Sequence, residues 1–304
     1  MNSVIPIDQQ SFPLIHDYLD RYPPIISELT LTNIYVWRTA RPTWFCEIDN
    51  TLIFLIKPDR CHTNKWVLFG PPIGPAAIQD IFNHLGSDLI GGVRLTADVV
   101  SGLDSTRFFI APDRDNADYV YRVQDLIELK GRNFAGKRNH IKQCLGKYHC
   151  EFERLVGDTP DECLELLSQW CTIRECDLDP GLRNESRAIL ETIQHFNNFR
   201  LFGGAIRIDG DIAAFCIGER LNHDTAVCHF EKALPHFTGL GQLINQWMAR
   251  ECLQEYTYVN REQDLGIPGL RQAKETYYPD HMIVKFSAYR KDVATQVDHG
   301  YDKG

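Results

Sequence analysis

Three features of the sequence predict a mixed α/β fold in two lobes. The chain has 304 residues, about twice the length of a typical single domain of about 150 residues. Strand-like and helix-like hydrophobic periods alternate along it in two successive passes. Between the passes a basic segment interrupts an otherwise acidic chain. The expected division is therefore residues 1–129 and 130–304, each lobe a mixed central sheet flanked by helices.

The first pass opens with a short helix, Phe12 to Arg21, stopped by Pro23-Pro24. Thr32 to Arg38, Trp44 to Ile48 and Thr51 to Lys57 read as strands, because β-branched and aromatic residues dominate them. Asp49-Asn50 is the turn between the last two. Lys65 to Phe69 is a further strand. A Pro/Gly loop precedes a helix, Ala76 to Leu85, and Phe108 to Ala111 is the last expected strand of this pass.

The second pass starts at Thr159, read as a helix N-cap with Pro160 in the first turn and Glu162 closing a capping box. Asn184 to Phe196 is a second helix. Leu201 to Ile208 and Ile212 to Arg220 flank Asp209-Gly210-Asp211, a strong hairpin signal. Thr225 to Phe230 is a strand, and the glycine-containing loop Thr238-Gly239-Leu240-Gly241 opens a helix bearing Leu243, Ile244, Trp247, Met248 and Cys252. Tyr256 to Asn260 (strand), Pro268 to Thr276 (helix) and Met282 to Tyr289 (strand) complete the pass. Residues after about 292 read as a solvated tail. This element order resembles that of a GNAT acyltransferase lobe. In that fold, backbone N–H groups of the loop before the helix meet an acyl donor's pyrophosphate, which would give Gly239 and Gly241 a substrate-binding role.

Composition excludes several classes. The formal charge is −9 with 43% hydrophobic and 24% charged residues, so a whole-surface nucleic-acid binder is not expected, although a local basic patch is compatible with it. Met1 to Pro6 lacks a basic and apolar leader pattern, and the most apolar stretch, Trp66 to Ile78, is short and broken by prolines. No transmembrane segment is expected, and a cytoplasmic location is. Ten cysteines occur, at 46, 61, 144, 150, 163, 171, 176, 216, 228 and 252, without a C-x-x-C pair. They read as reduced, buried thiols, and no metal site is expected. Monomer and homodimer remain equally compatible with the sequence.

Three segments carry the functional signal. From Lys130 to His149 there are six Lys or Arg and no acidic residue. Arg132, Lys137, Arg138 and Asn139 in this run suit phosphates of a nucleotide, a CoA or a tRNA. His229-Phe230-Glu231-Lys232 ends a core strand, where ligands of open α/β sheets tend to bind. The third is the polar run from Asn260 to Pro279, which follows a strand and precedes a helix.

Together these segments resemble the lysylphosphatidylglycerol synthetase C-terminal-domain family, and more closely its short soluble bacterial members of unassigned function. The matching stretches are YVYRVQDLIELKGRNFAGKRNHI at 119–141, HFEKA at 229–233 and NREQDLGIPGLRQAKETYYP at 260–279, and the resemblance runs from about residue 15 to 290. It implies a tandem pair of GNAT-like lobes. It also implies transfer of an aminoacyl group from aminoacyl-tRNA, the donor substrate, to a soluble, small-molecule or lipid-headgroup acceptor amine or hydroxyl, with tRNA meeting the basic segment. No tightly bound cofactor is implied.

Because an aminoacyl ester is already activated, such an enzyme mainly positions two substrates, removes a proton and stabilises an oxyanion. Glu231 is the expected base or holder of a substrate ammonium, with Asp264 as competitor. Arg261 or Lys274 would stabilise negative charge, and Tyr277 would protonate the leaving group. His229 and Asn260 are expected to line the substrate site. Acetyl-CoA is the alternative donor, since His236 to Gly241 keeps the glycines of the acetyl-CoA pattern. A non-catalytic amino-acid or nucleotide binding protein is the third reading.

Overall fold

The computed structural model describes residues 4–58 and 64–292; Cys61 and the tail after 292 lie outside them. The first elements are β1 (Ile5–Pro6), α1 (Phe12–Arg21), α2 (Leu31–Val36), β2 (Thr43–Ile48), β3 (Thr51–Ile56) and β4 (Trp66–Phe69). α3 (Ile78–Leu85), β5 (Leu89–Leu95), α4 (Ala97–Ser101) and β6 (Phe108–Arg122) follow. The strand expected at Thr32 to Arg38 is instead helix α2. Thr30 accepts a hydrogen bond from the Asn33 N–H through its side chain, and all six residues of the helix are buried. Burial on every side suits apolar residues whatever their period, and the cap selects the helix over local β-propensity.

Next come α5 (Val123–Glu128), α6 (Ala135–Lys147), β7 (Cys150–Arg154), α7 (Thr159–Arg174) and α8 (Pro180–Gln194). β8 (Phe202–Ile208), β9 (Asp211–Arg220), β10 (Thr225–Ala233), α9 (Leu240–Cys252), β11 (Tyr258–Asn260), α10 (Pro268–Glu275) and β12 (His281–Arg290) complete the chain. The capping box expected at Thr159 is absent. Asp158 holds the cap position without a side-chain bond, and Glu162 instead pairs with Arg207 at 2.8 Å. The β8–β9 hairpin turns through Asp209 and Gly210, both at positive φ, as its Asp-Gly requires.

The described chain forms two compact units, each a mixed α/β lobe. One comprises the described residues up to Asp118, Gln263–Pro268 and the described residues from Met282 onward; the other comprises Tyr119–Glu262 and Gly269–His281. The division differs from the expected 129/130 boundary. The charge reversal at Lys130 marks a surface segment, whereas the chain passes between units inside the continuous strand β6. The last strand, expected in the C-terminal lobe, belongs almost wholly to the first unit.

In the first unit the strands run β1-β2-β3-β4-β5-β12, antiparallel except for β4 and β5. A buried ionic cluster lies within it. Lys285, fully buried, donates to Glu28 and, at 2.6 Å, to Asp118, and Asp118 also accepts from Ser27 and Gln263. In the second unit the end of β6 is followed by β11-β10-β9-β8-β7, with only β10 and β11 parallel. β10 carries a bulge between Cys228 and Phe230, so that Cys228 faces Gly218 and Glu231 faces Cys216.

Candidate functional site

Within the second unit, one end of β10 meets the end of β11. β10 supplies Glu231, β11 leads into Arg261, and α9 supplies Asn245. The Arg261 Nη2 donates to Glu231 Oε2 at 3.0 Å, and Asn245 Nδ2 donates to the same oxygen at 3.1 Å. Glu231 Oε1 has no hydrogen-bond partner among the described residues, and the Glu231 side chain is 22% exposed. Asn245 is 5% exposed and its Oδ1 is likewise unpartnered. One carboxylate oxygen is thus fixed and the other is open to a ligand.

Aromatic rings enclose the guanidinium. The Arg261 Cζ lies 5.2 Å from the Tyr277 ring centroid and 5.8 Å from that of Tyr121. Burial opposes the Arg261 charge, but the neighbouring Glu231 carboxylate outweighs it and raises the group's pKa further. Burial also raises the Tyr277 phenol well above its ordinary value, so at neutral pH Tyr277 is a proton donor. At Arg261 the counter-charge outweighs burial, whereas at Tyr277 burial outweighs the Arg261 charge.

The loop after β11 is held by three devices. Asn260 is fully buried, and its Oδ1 accepts the Glu262 N–H at 2.8 Å. Lys274 donates through Nζ to the carbonyls of Arg261 and Glu262. His229, its side chain fully buried, sits between Glu219 (Nε2 to Oε1, 2.7 Å) and Glu262 (Nδ1 to Oε1, 2.9 Å). Burial alone would depress the His229 pKa; the two hydrogen-bonded carboxylates outweigh it and push it up to about 10. His229 is therefore an imidazolium clamp.

The basic segment contributes unevenly. Lys137 is half-buried; its Nζ donates to Thr276 Oγ1 at 2.8 Å and lies 4.0 Å from the Tyr277 ring centroid. Burial and the Arg261 charge lower its pKa, which favours losing a proton. Arg138 donates to the carbonyls of Leu129 and Gly131, which satisfies the end of α5. Arg132 and Asn139 are exposed.

Not every expected residue converges. Asp264 belongs to the other compact unit, where it is fully buried, pairs with Arg114 at 3.0 Å and accepts the Gly266 N–H. These partners make it a loop anchor. Gly239, at φ 84°, has its missing side chain filled by a neighbour: a Cβ there would lie 2.1 Å from the His140 carbonyl oxygen of α6. Its glycine serves helix packing, so that face is closed to a pyrophosphate. Gly241 has open space around it. Asn245 and Glu219 lie outside every segment singled out from the sequence, and Tyr121 and Glu262 lie within two of them, 119–141 and 260–279, with no role assigned there. Asn245 carries a signal: it is an amide inside the apolar run of α9, where an unpaired amide would be costly.

A family model described as phosphatidylglycerol lysyltransferase, C-terminal, matches residues 20–289. A conserved protein of unknown function from Bacteroides thetaiotaomicron is 30% identical, with TM-score 0.86 over 96% of this chain and 100% of that one. L-PGS from Bacillus licheniformis shares the fold at 14% identity and TM-score 0.64, over 95% of this chain and 93% of that one. No curated protein matches the sequence.

Proposed function

The chain belongs to the phosphatidylglycerol lysyltransferase C-terminal family, and from that premise we propose that it is an aminoacyltransferase. It moves an aminoacyl group from aminoacyl-tRNA to an acceptor amine or hydroxyl. The observation that carries this reading is the half-committed carboxylate of Glu231. One oxygen is immobilised by Arg261 and Asn245, and the other is free to accept a proton or hold an ammonium.

In this mechanism the acceptor's N or O attacks the aminoacyl ester carbonyl while Glu231 Oε1 receives its proton. The developing oxyanion meets Arg261 or Lys137, since the Lys274 ammonium is already committed to backbone carbonyls. Tyr277 protonates the departing ribose hydroxyl. Asp264, fully buried and paired with Arg114, is less suited to the role of base than Glu231. The basic segment binds donor phosphates, and Lys137 supports this because it joins that segment to Tyr277. No helix among the described residues is long and apolar enough to cross a membrane, so a lipid-headgroup acceptor would be met at a membrane surface.

The test is a titration of the protein with bulk aminoacylated tRNA, uncharged tRNA and acetyl-CoA at two salt concentrations, followed by single-turnover transfer to amine and hydroxyl acceptors. Glu231→Gln should slow transfer by about 10²–10⁴-fold while leaving tRNA binding intact. A loss of only about twofold, or binding of acetyl-CoA without tRNA, rejects the assignment.

A further inference from the structure

Cys216 on β9 and Cys228 on β10 face the same side of the sheet as Glu231. The bulge is the cause: Cys228 lies opposite Gly218, two residues from Cys216, and Glu231 lies opposite Cys216 itself. The two sulfurs are 3.2 Å apart. Both sulfurs and a Glu231 carboxylate oxygen lie within 4.8 Å of one another. We infer that Cys216, Cys228 and Glu231 form a binding site for a borderline-soft divalent cation of the zinc type.

The donor set selects the ion. Thiolates prefer zinc and similar metals over calcium or magnesium. Two sulfurs on one tetrahedral zinc, each at about 2.3 Å, stand about 3.7 Å from each other, so the pair must open by about half an ångström from its present spacing. Glu231 has the matching arrangement. Its Oε2 is fixed by Arg261 and Asn245, and its Oε1 is free, as in ligating carboxylates oriented by outer hydrogen bonds. The unpartnered Asn245 Oδ1, on a side chain 95% buried, adds a further acceptor beside Glu231. Cys228 and Glu231 are each partly exposed, which gives the ion a way in.

Charge balances in both states. Without the ion, Arg261 offsets Glu231. With it, two protons leave, and the divalent charge offsets two thiolates. A disulfide fits the positions less well. Diagonal neighbours across antiparallel strands usually stand about 7–8 Å apart at Cα, beyond the usual disulfide reach of about 4.4–6.8 Å.

The site goes beyond the proposed transferase reading and adjoins it. The cation takes the Glu231 oxygen assigned to the acceptor, so metal loading and transfer exclude each other.

The experiment is a titration of the reduced, full-length protein with Co²⁺, followed by sulfur-to-cobalt charge-transfer absorption and by proton release. One Co²⁺ per chain, a thiolate band displaced by Zn²⁺, and release of about two protons are expected. Cys228→Ser should abolish the band, and Asn245→Leu should weaken binding about 10- to 100-fold, each with an unchanged melting profile. If Cys216→Ser fails to fold, Cys228→Ser alone decides the matter, since that thiol is the more exposed. Absence of a thiolate band, its persistence in Cys228→Ser, or loss of both thiols to peroxide with no cobalt bound overturns the site. The absorption does not depend on transfer, so failure of the metal site and failure of the transferase reading are separately visible.

Discussion

His229 Nδ1 lies 2.9 Å from Glu262 Oε1, and Glu262 adopts a left-handed backbone at φ 59°. A histidine on β10 thus secures the residue where the chain turns away after β11, one position beyond Arg261. Arg261 is thus held through its neighbour by an imidazole whose two ring nitrogens are both bound to carboxylates.

This clamp makes stability pH-dependent. The folded pKa, about 10, exceeds an ordinary value near 6.5. The stabilisation is therefore complete below about pH 6.5, declines as pH rises, and is gone above about pH 10. Denaturant melts of the wild type and of His229→Gln across this window should converge at the alkaline end. A difference between them that stays constant from pH 6 to 10 rejects the clamp.

Lys285 should be the most sensitive ionic position of the first unit. Lys285→Met removes the ammonium that Glu28 and Asp118 share, and removing one partner of such a buried cluster costs about 3–5 kcal/mol. Urea unfolding measures it. A loss below about 1 kcal/mol would mean that water reaches the cluster.

Gly239→Ala adds a methyl that meets the His140 carbonyl at 2.1 Å on a residue already at φ 84°. Strained backbone alone costs about 1–3 kcal/mol, and α6 must also shift. Thermal melting should drop accordingly, while Gly241→Ala, with open space around it, should stay near wild type. Equal effects at the two glycines contradict a packing role for Gly239.

Residues of the basic segment should separate by their partners. Arg132→Ala and Lys142→Ala, both at exposed positions, should each reduce the salt slope of tRNA binding by about 1 without changing stability. Arg138→Ala should also destabilise the protein by about 1.5–3 kcal/mol, because two carbonyls lose a charged donor. Differential scanning beside filter binding distinguishes the two behaviours.

The second pass of elements was legible because its hairpin, its glycine-opened helix and its polar 260–279 run each carry local chemistry. The first pass was less so. α2 reads as a strand, since Ile34, Tyr35 and Val36 favour that form locally, and only the Thr30 cap and burial on all sides decide otherwise. β5 was hidden by Gly91-Gly92, which look like a loop. A Cβ at Gly91 would come within 2.4 Å of the Tyr289 ring, so the glycine marks a close approach inside a sheet. At the candidate site, Glu231, Arg261, Lys137 and Tyr277 stood in segments whose composition drew the eye. Their partners did not, because Asn245, Glu219 and the Cys216–Cys228 pair are distant in sequence and ordinary in their local surroundings.

The bulge at His229 has a bearing on how this site tolerates change. Cys228 and Glu231 are three residues apart, an odd interval that in a regular strand would send them to opposite faces. One surplus residue brings them to the same side. Were the strand to pair regularly at its present length, Cys228 and Glu231 would part to opposite faces of the sheet. The arrangement is thus inherited as a pairing register as much as a set of identities.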